Sequence, residues 1–475
     1  MIKTNLAIII LIIVLFSTNC TSTKIDSDKK PNFILLVADD AGYGDFGCYG
    51  QDIFNTPNID KLASEGMLFT QHYSGSTVCA PSRSSLMTGQ HTGHTFIRGN
   101  MEIQPEGQYP LPDEIEILPE YLKNVGYTTG GFGKWGLGAP GSTGDPVNQG
   151  FDEWFGYNCQ RLGHNYYPEY LWKNKDTVFQ IGNENRGIGD YSHDVIHRQA
   201  LKFIEENKDN PFFLFLPYTI PHAELLVPDD SLFQKYKGKF SETPYQGIDN
   251  GPEYRKGPYG SQEYPRAAFA AMMERLDLAV GDILMKIKDL GIDGHTVFIF
   301  TSDNGPHREG GADPDFFDSN GIFKGYKRDL YEGGIRVPFI IRWPQNIEGG
   351  VKTDHVSAFW DILPTFCEIA GIEVPDEIDG ISFLPTLKAM NNQTPHSYLF
   401  WEFYEQGGKR AVRMGDWKGV KLGIRKNPDA DMELYNLSTD PGESTNVAND
   451  FPDIVRKIED IMNQEHTPSE IFTFK

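Results

Sequence analysis

The sequence predicts an α/β fold: a large, mostly parallel sheet flanked by helices, followed by a smaller C-terminal antiparallel sheet with one helix. Three observations carry this. Short continuous apolar runs bounded by turn residues, at 32–37, 211–218, 295–301 and 337–343, read as strands buried on both faces. Segments of helical period lie between them, the alternation that builds a parallel sheet covered on both sides. After about residue 385 the texture changes to short aromatic and β-branched stretches separated by turns, as expected of an antiparallel sheet.

Length and charge bound the rest. A chain of 475 residues can bury a large core and hold more than one structural unit. Its 43 Lys+Arg against 66 Asp+Glu give a formal charge of −23. That excludes the basic footprint of a nucleic-acid binder. It also means that an anionic substrate needs positive charge concentrated locally against the overall field.

Taken in order, the chain opens with Lys3 and an apolar run at 6–16 that is too short to span a bilayer, so residues 1–20 read as an export signal. Ser17-Thr18-Asn19-Cys20 resembles a loose bacterial lipobox. Lipidation at Cys20 would anchor the protein in the periplasm or on the outer-membrane surface, with Cys20 its only membrane contact. Asn19 is unusual there, and cleavage by a general signal peptidase is the rival reading. Residues 21–30 are polar and read as a tether. The main domain is expected at 31–385 and a C-terminal subdomain at 386–475. Beyond Cys20 and Cys79, only Cys48, Cys159 and Cys367 remain, too few for a disulfide framework in so long a chain.

The run 32–37 ends at Asp39-Asp40, two carboxylates at the carboxyl end of a buried strand, where open α/β sheets keep their ligands. Thr56-Pro57 and Gly66 bracket an amphipathic helix. Residues 118–124 repeat that pattern with Gly126 as the stop, and 128–135 form a glycine-rich strand end carrying Lys134. The strand at 211–218 delivers Pro221-His222, and 267–290 is a long helix. The strand at 295–301 ends at Asp303-Asn304, and a helix follows at 358–370. In the last part, 398–403, 417–422 and 433–437 read as strands and 454–462 as the closing helix. Asp39, Asp40, Asp303 and Asn304 form a set of hard oxygen ligands that suits Ca²⁺ or Mg²⁺ and would be poor for zinc.

The most specific stretch is Cys79-Ala80-Pro81-Ser82-Arg83-Ser84-Ser85-Leu86-Met87-Thr88-Gly89. Pro81 suits a first helical turn and Gly89 a left-handed stop, so Cys79 lies at a helix N-terminus. That position favours an anion and would suit a low-pKa nucleophile, against the alternative of a buried helix-start cysteine. The string C-x-P-S-R-x-x-L-x-T-G resembles the signature of the type I, formylglycine-dependent sulfatases, arylsulfatase-like members of the alkaline phosphatase superfamily. Gly133-Lys134-Trp135-Gly136-Leu137-Gly138 is similar to the family's G-K-W-H-L-G, and 327–338 to its K-x-x-x-x-E-G-G-x-R-x-P. Pro221-His222 matches the family's Pro-His. The resemblance covers about residues 31–449.

The resemblance implies an alkaline-phosphatase-like fold and sulfate ester hydrolysis by S–O cleavage. Cys79 would be oxidised to formylglycine by a formylglycine-generating or anaerobic sulfatase-maturing enzyme, and its hydrated aldehyde would attack sulfur. The cation, usually Ca²⁺ with Mg²⁺ the alternative, would be held by Asp39, Asp40, Asp303, Asn304 and an oxygen of residue 79. Lys134, Lys327 and Arg83 would hold sulfate oxygens, and His222 would protonate the leaving alcohol. The chain departs from the pattern at Gly136, where the family carries His; His164 is the candidate replacement. His94 and Arg98 are expected to reach a sugar or a second anion. The expected substrate is a sulfated carbohydrate or an aryl sulfate. A phosphonate or phosphate-diester hydrolase of the same fold, and a non-catalytic glycan-binding surface lipoprotein, are the competing readings.

Overall fold

The computed structural model describes residues 30–474; the export signal and Cys20 lie outside the described residues. Ten strands form the main sheet: β1 (Asn32–Ala38), β2 (Met67–Phe69), β4 (Thr128–Lys134), β5 (Glu153–Tyr157), β6 (Tyr170–Lys173), β7 (Asp176–Phe179), β8 (Phe212–Pro217), β9 (Thr296–Ser302), β10 (Phe339–Arg342) and β11 (Val351–Thr353). Their order is β11-β2-β10-β9-β1-β8-β4-β5-β6-β7. The central run β9-β1-β8-β4-β5 is parallel throughout, and antiparallel pairs occur only toward the edges. A short pair, β3 (His72–Tyr73) with β12 (Ser357–Ala358), stands apart.

All seven residues of β1 are buried, because its alternate side chains feed two cores. Ile34 and Leu36 pack with Phe203 and Ile283 from the helices Ser192–Asn207 and Pro265–Asp289. Phe33, Leu35 and Val37 pack on the other face with Met87, Leu122 and Phe366 from the helices Cys79–Thr88, Leu118–Asn124 and Ile362–Ala370. A strand covered on both faces needs no polar alternation, which is why its sequence is a continuous apolar run.

The four-stranded antiparallel sheet β13 (Leu399–Phe403), β14 (Lys409–Met414), β15 (Trp417–Leu422) and β16 (Met432–Asn436) follows, with the helix Pro452–Gln464. One face carries Phe400, Val412 and Leu434 against Ile458 and Met462 of that helix. The other carries Leu399, Trp401 and Phe403 against Tyr73, Leu330 and Trp360 of the main unit. The two units therefore share a core. Strands β2, β3, β5, β6, β7, β11, β12 and β14 were not anticipated from sequence. β7 is exposed along its length and β14 has charged residues at both ends, so neither offers an apolar run to read.

Candidate active site

Four adjacent central strands end side by side and each delivers a polar group. The parallel register pairs Ala38 with Ser302, so Asp39-Asp40 and Asp303-Asn304 emerge as neighbours. Lys134 is the last residue of β4, and His222 follows β8. Cys79 opens the helix Cys79–Thr88, which ends at left-handed Gly89 (φ 71°). The helix is tied to the sheet by Ser82 Oγ, which donates to the Asp303 carbonyl at 2.6 Å.

Cys79 Sγ lies 3.3 Å from Asp39 Oδ1 and 3.6 Å from Lys134 Nζ. Burial and the adjacent Asp39 carboxylate push its thiol pKa well above the usual value. The low-pKa reading of the bare thiol is thus corrected: the helix terminus is present, but burial next to an anion outweighs it.

Arg83 is fully buried, and both prongs are engaged. Nε and Nη2 reach Asp303 Oδ2 at 3.3 and 3.0 Å, and Nη2 lies 3.5 Å from Asp39. Nη1 donates to the carbonyl oxygens of Lys134 and Trp135. The structure therefore places Arg83 behind the carboxylates, where it positions them, instead of on a sulfate. Lys134 Nζ forms an ion pair with Asp39.

Asp40 adopts φ 65°, a left-handed conformation that Asp tolerates better than most residues. Asn304 Nδ2 donates to its Oδ1 at 2.7 Å and Lys327 Nζ to its Oδ2 at 2.7 Å. Lys327 Nζ also donates to His222 Nε2 at 2.9 Å and lies 3.4 Å from Glu309 Oε2. Burial opposes charge on Lys327, but Asp40 and Glu309 outweigh it and hold its pKa well above the ordinary value. Burial, reinforced by Lys327, holds His222 neutral.

The donor set fits a hard divalent cation. Asn304 Oδ1 is buried with no hydrogen-bond partner. One ligand atom each of Asp39, Asp40, Cys79 and His222 lies within 4.8 Å of the others. Burial and the neighbouring Asp39 carboxylate raise the Asp303 pKa. A cation among these oxygens would relieve that repulsion.

Above this floor opens a cleft of about 480 Å³, lined among others by Cys79, His164, His222 and Lys327. His164 stacks on His222, ring centroids 4.5 Å apart and 11° between planes. It does not fill the space beside Gly136. That volume belongs to Gln160: a Cβ at Gly136 (φ 88°) would meet Gln160 Nε2 at 1.8 Å. Sequence reasoning missed Gln160, and it also missed Glu309. Glu309 takes a hydrogen bond from Tyr259 at 2.6 Å and pairs with Lys327 and Arg328. The only signal for it was its place shortly after Asp303-Asn304.

His94 and Arg98 do not line this cleft. Arg98 donates to the Thr467 carbonyl at 2.6 Å and to its Oγ1 at 2.7 Å. His94 Nδ1 meets Asp379 Oδ1 at 2.9 Å, while the stacked His91 reaches Glu465 at 3.2 Å. Both expected substrate contacts are corrected: Arg98 clamps the C-terminal segment at Thr467, and His94 pairs with Asp379. The Gly93 N–H donates to His91 Nδ1, which leaves the ring proton on Nε2, facing Glu465. That arrangement suits a hydrogen-bonded clamp and opposes metal ligation through Nε2.

The Asp379 hydrogen bond raises the His94 pKa. Its stabilisation is therefore complete below the unfolded His value of about 6.5 and is lost as pH rises through the raised folded value. His94→Gln is expected to lower the melting temperature at pH 6, with the gap to wild type closing toward pH 9. A gap independent of pH would remove the charged-clamp account.

The comparisons agree with this geometry. The Sulfatase family model matches residues 31–372, and the model for the C-terminal part of N-sulphoglucosamine sulphohydrolase matches 320–467. The chain belongs to the sulfatase family. This sulfatase is 31% identical to N-acetylgalactosamine-6-sulfatase of Mus musculus over 82% of its length and 72% of that protein. It is 34% identical to an arylsulfatase of Hemicentrotus pulcherrimus, over 82% of its length and 67% of that protein. The crystal structure of Ps i-CgsB in complex with k-i-k-neocarrahexaose is similar at TM-score 0.76 and 26% identity, covering 92% of this chain and 94% of that one. The sulfatase is a sulfuric ester hydrolase of the alkaline phosphatase superfamily.

Proposed function

We propose that this sulfatase removes sulfate from sugars of a sulfated glycan, with residue 79 as formylglycine and a resident divalent cation, Ca²⁺ or Mg²⁺. The observation that carries the chemistry is the meeting of Cys79, two acidic strand-end pairs and two buried lysines at the floor of one cleft. Two names among the comparisons support a sugar substrate: one relative is named for N-acetylgalactosamine 6-sulfate, and the similar crystal structure holds a neocarrahexaose. The leader read from residues 1–20 and the anchor read at Cys20 support export to a place where such glycans occur.

When present, formylglycine supplies a hydrated-aldehyde nucleophile and the cation supplies Lewis-acid activation of it. Asp39, Asp40, Asp303 and Asn304 would hold the cation, and Arg83 keeps Asp39 and Asp303 in place. Lys134 and Lys327 flank residue 79 and offer ammonium protons to sulfate oxygens on which negative charge builds. His222 points Nδ1 at the Ala223 carbonyl and accepts from Lys327 at Nε2. His222 serves as the donor to the leaving alcohol once Nε2, which accepts from Lys327 at 2.9 Å in this structure, carries a proton. Glu309, held ionised by Lys327 against the effect of burial, lies 3.4 Å from the Lys327 ammonium and 3.8 Å from His222 Nε2 and balances positive charge on either.

The test uses purified, modified protein on sulfated mono- and disaccharides, an aryl sulfate and a matched phosphate diester. Sulfate esters are expected to be turned over, with the diester at least about 100-fold slower. Dialysis against a chelator should remove the activity, and added Ca²⁺ or Mg²⁺ should restore it. Faster cleavage of the diester, or full activity after chelation, would overturn the reading.

A further inference from the structure

We propose that Gln108 and Gln160 form a neutral recognition element that binds the hydroxyl groups of an uncharged sugar ring carrying the sulfate, and that a second anion on that ring is disfavoured. The inference deepens the sugar-sulfate reading above and rests on it.

Both glutamines line the cleft that contains Cys79, His222 and Lys327. They are 4% and 6% exposed. Neither carboxamide atom of Gln160 has a hydrogen-bond partner in the protein, and Gln108 Oε1 has none either. Buried carboxamide atoms without a partner are costly, so three of them on two side chains that line one cleft mark a place where a ligand completes the bonding. Gln160 is held there by the backbone: Gly136 N donates to the Asn158 carbonyl at 3.1 Å, joining the ends of β4 and β5 just ahead of it. Gly136 leaves the volume that the Gln160 side chain fills.

The chemistry of the ligand follows from the donors and acceptors. A carboxamide presents N–H donors and a carbonyl acceptor, and a hydroxyl is also both, so the two match without a charge. A carboxylate or a second sulfate would match only the N–H side. The cations around the cleft would not compensate. Arg161 pairs with Glu102 and Glu253 at 3.4 and 2.9 Å, Arg328 with Glu309, and Lys327 with Asp40 and Glu309. A second anion would have to displace one of these pairs and face Glu102 or Glu309 instead.

The experiment measures equilibrium binding by calorimetry to the Cys79→Ala protein, which binds without turnover. The probes are a monosulfated N-acetylhexosamine, the same sugar with a second sulfate, a sulfated uronic acid and inorganic sulfate. The neutral monosulfate is expected to bind at least about 10-fold more tightly than either doubly charged sugar. Gln160→Leu and Gln108→Leu, each added to that background, are expected to weaken its binding about 10-fold, the loss of one well-made hydrogen bond, with a smaller change for inorganic sulfate. Thermal melts of each variant check that the fold is retained, and the comparison among sugars needs no glutamine variant at all. Equal losses for sugar and inorganic sulfate, or tighter binding of a doubly charged ring, would overturn the inference while leaving a sugar sulfatase intact. Binding of sulfate with no binding of any sulfated sugar would overturn the sugar reading itself.

Discussion

Cys79→Ala is expected to reduce sulfate ester turnover by at least about 10⁴-fold with a melting temperature within a few degrees of wild type. The side chain is buried, and among the described residues its hydrogen-bond contacts are to Asp39 at 3.3 Å and Lys134 at 3.6 Å. Removing one sulfur leaves a small gap, worth about 1 kcal/mol, and no stranded charge: Asp39 keeps its ion pairs with Lys134 and Arg83. The loss of activity follows because the other groups around the site are acceptors, cations or a proton carrier, and none is placed to replace a nucleophile. Steady-state assays on an aryl sulfate and a sulfated sugar, with a thermal melt alongside, decide it. Activity within 100-fold of wild type would assign the nucleophile elsewhere, and a collapsed fold would make Cys79 a packing residue.

The fold class was legible because β1, β8 and β9 are buried on both faces and so carry uninterrupted apolar runs. The edge strands were not, since β7 is exposed and β11 is half-exposed, and their sequences follow local turns instead of a core. For the site, type and position were readable wherever a group sits at a strand end, as Asp39, Lys134 and Asp303 do. Roles were less readable. Arg83 in the signature looks like an anion binder, but its partners are brought in by β4 and β9, which no local pattern reveals. His94 and Arg98 follow the signature helix by a few residues, yet the chain turns them toward Asp379 and Thr467, far along the sequence. Gln160 has no motif at all; it is identified only by the hole at Gly136 and by its own unmet hydrogen bonds.

The segment 327–338 separates into two parts, and the second carries the largest expected effect on stability. Lys327 faces the cleft, but Glu332 and Arg336 do not line it. Glu332 is fully buried and accepts from Lys418 Nζ at 2.8 Å, Tyr73 Oη at 2.7 Å and Arg336 Nη1 at 3.1 Å. Lys418, on β15 and also fully buried, reaches Glu443 as well, at 3.1 Å. Burial raises the Glu443 pKa, and Lys418 with Arg336 outweighs burial to hold Glu332 ionised. One ammonium thus keeps two buried carboxyl groups compatible across the contact between the small sheet and the main unit. Lys418→Met keeps the apolar stem and removes the charge. It is expected to cost about 3–5 kcal/mol, because the carboxyl groups are left together without their common partner. Glu443→Gln added to Lys418→Met should recover part of that loss, since it removes the acid whose cation is gone, while Glu332 keeps Arg336 and Tyr73. Chemical denaturation of the single and double variants measures both numbers. A loss below about 1 kcal/mol for Lys418→Met, or no recovery in the double variant, would mean that water or rearrangement solvates these groups and that the apolar packing of Leu399, Trp401 and Phe403 alone holds the small sheet in place.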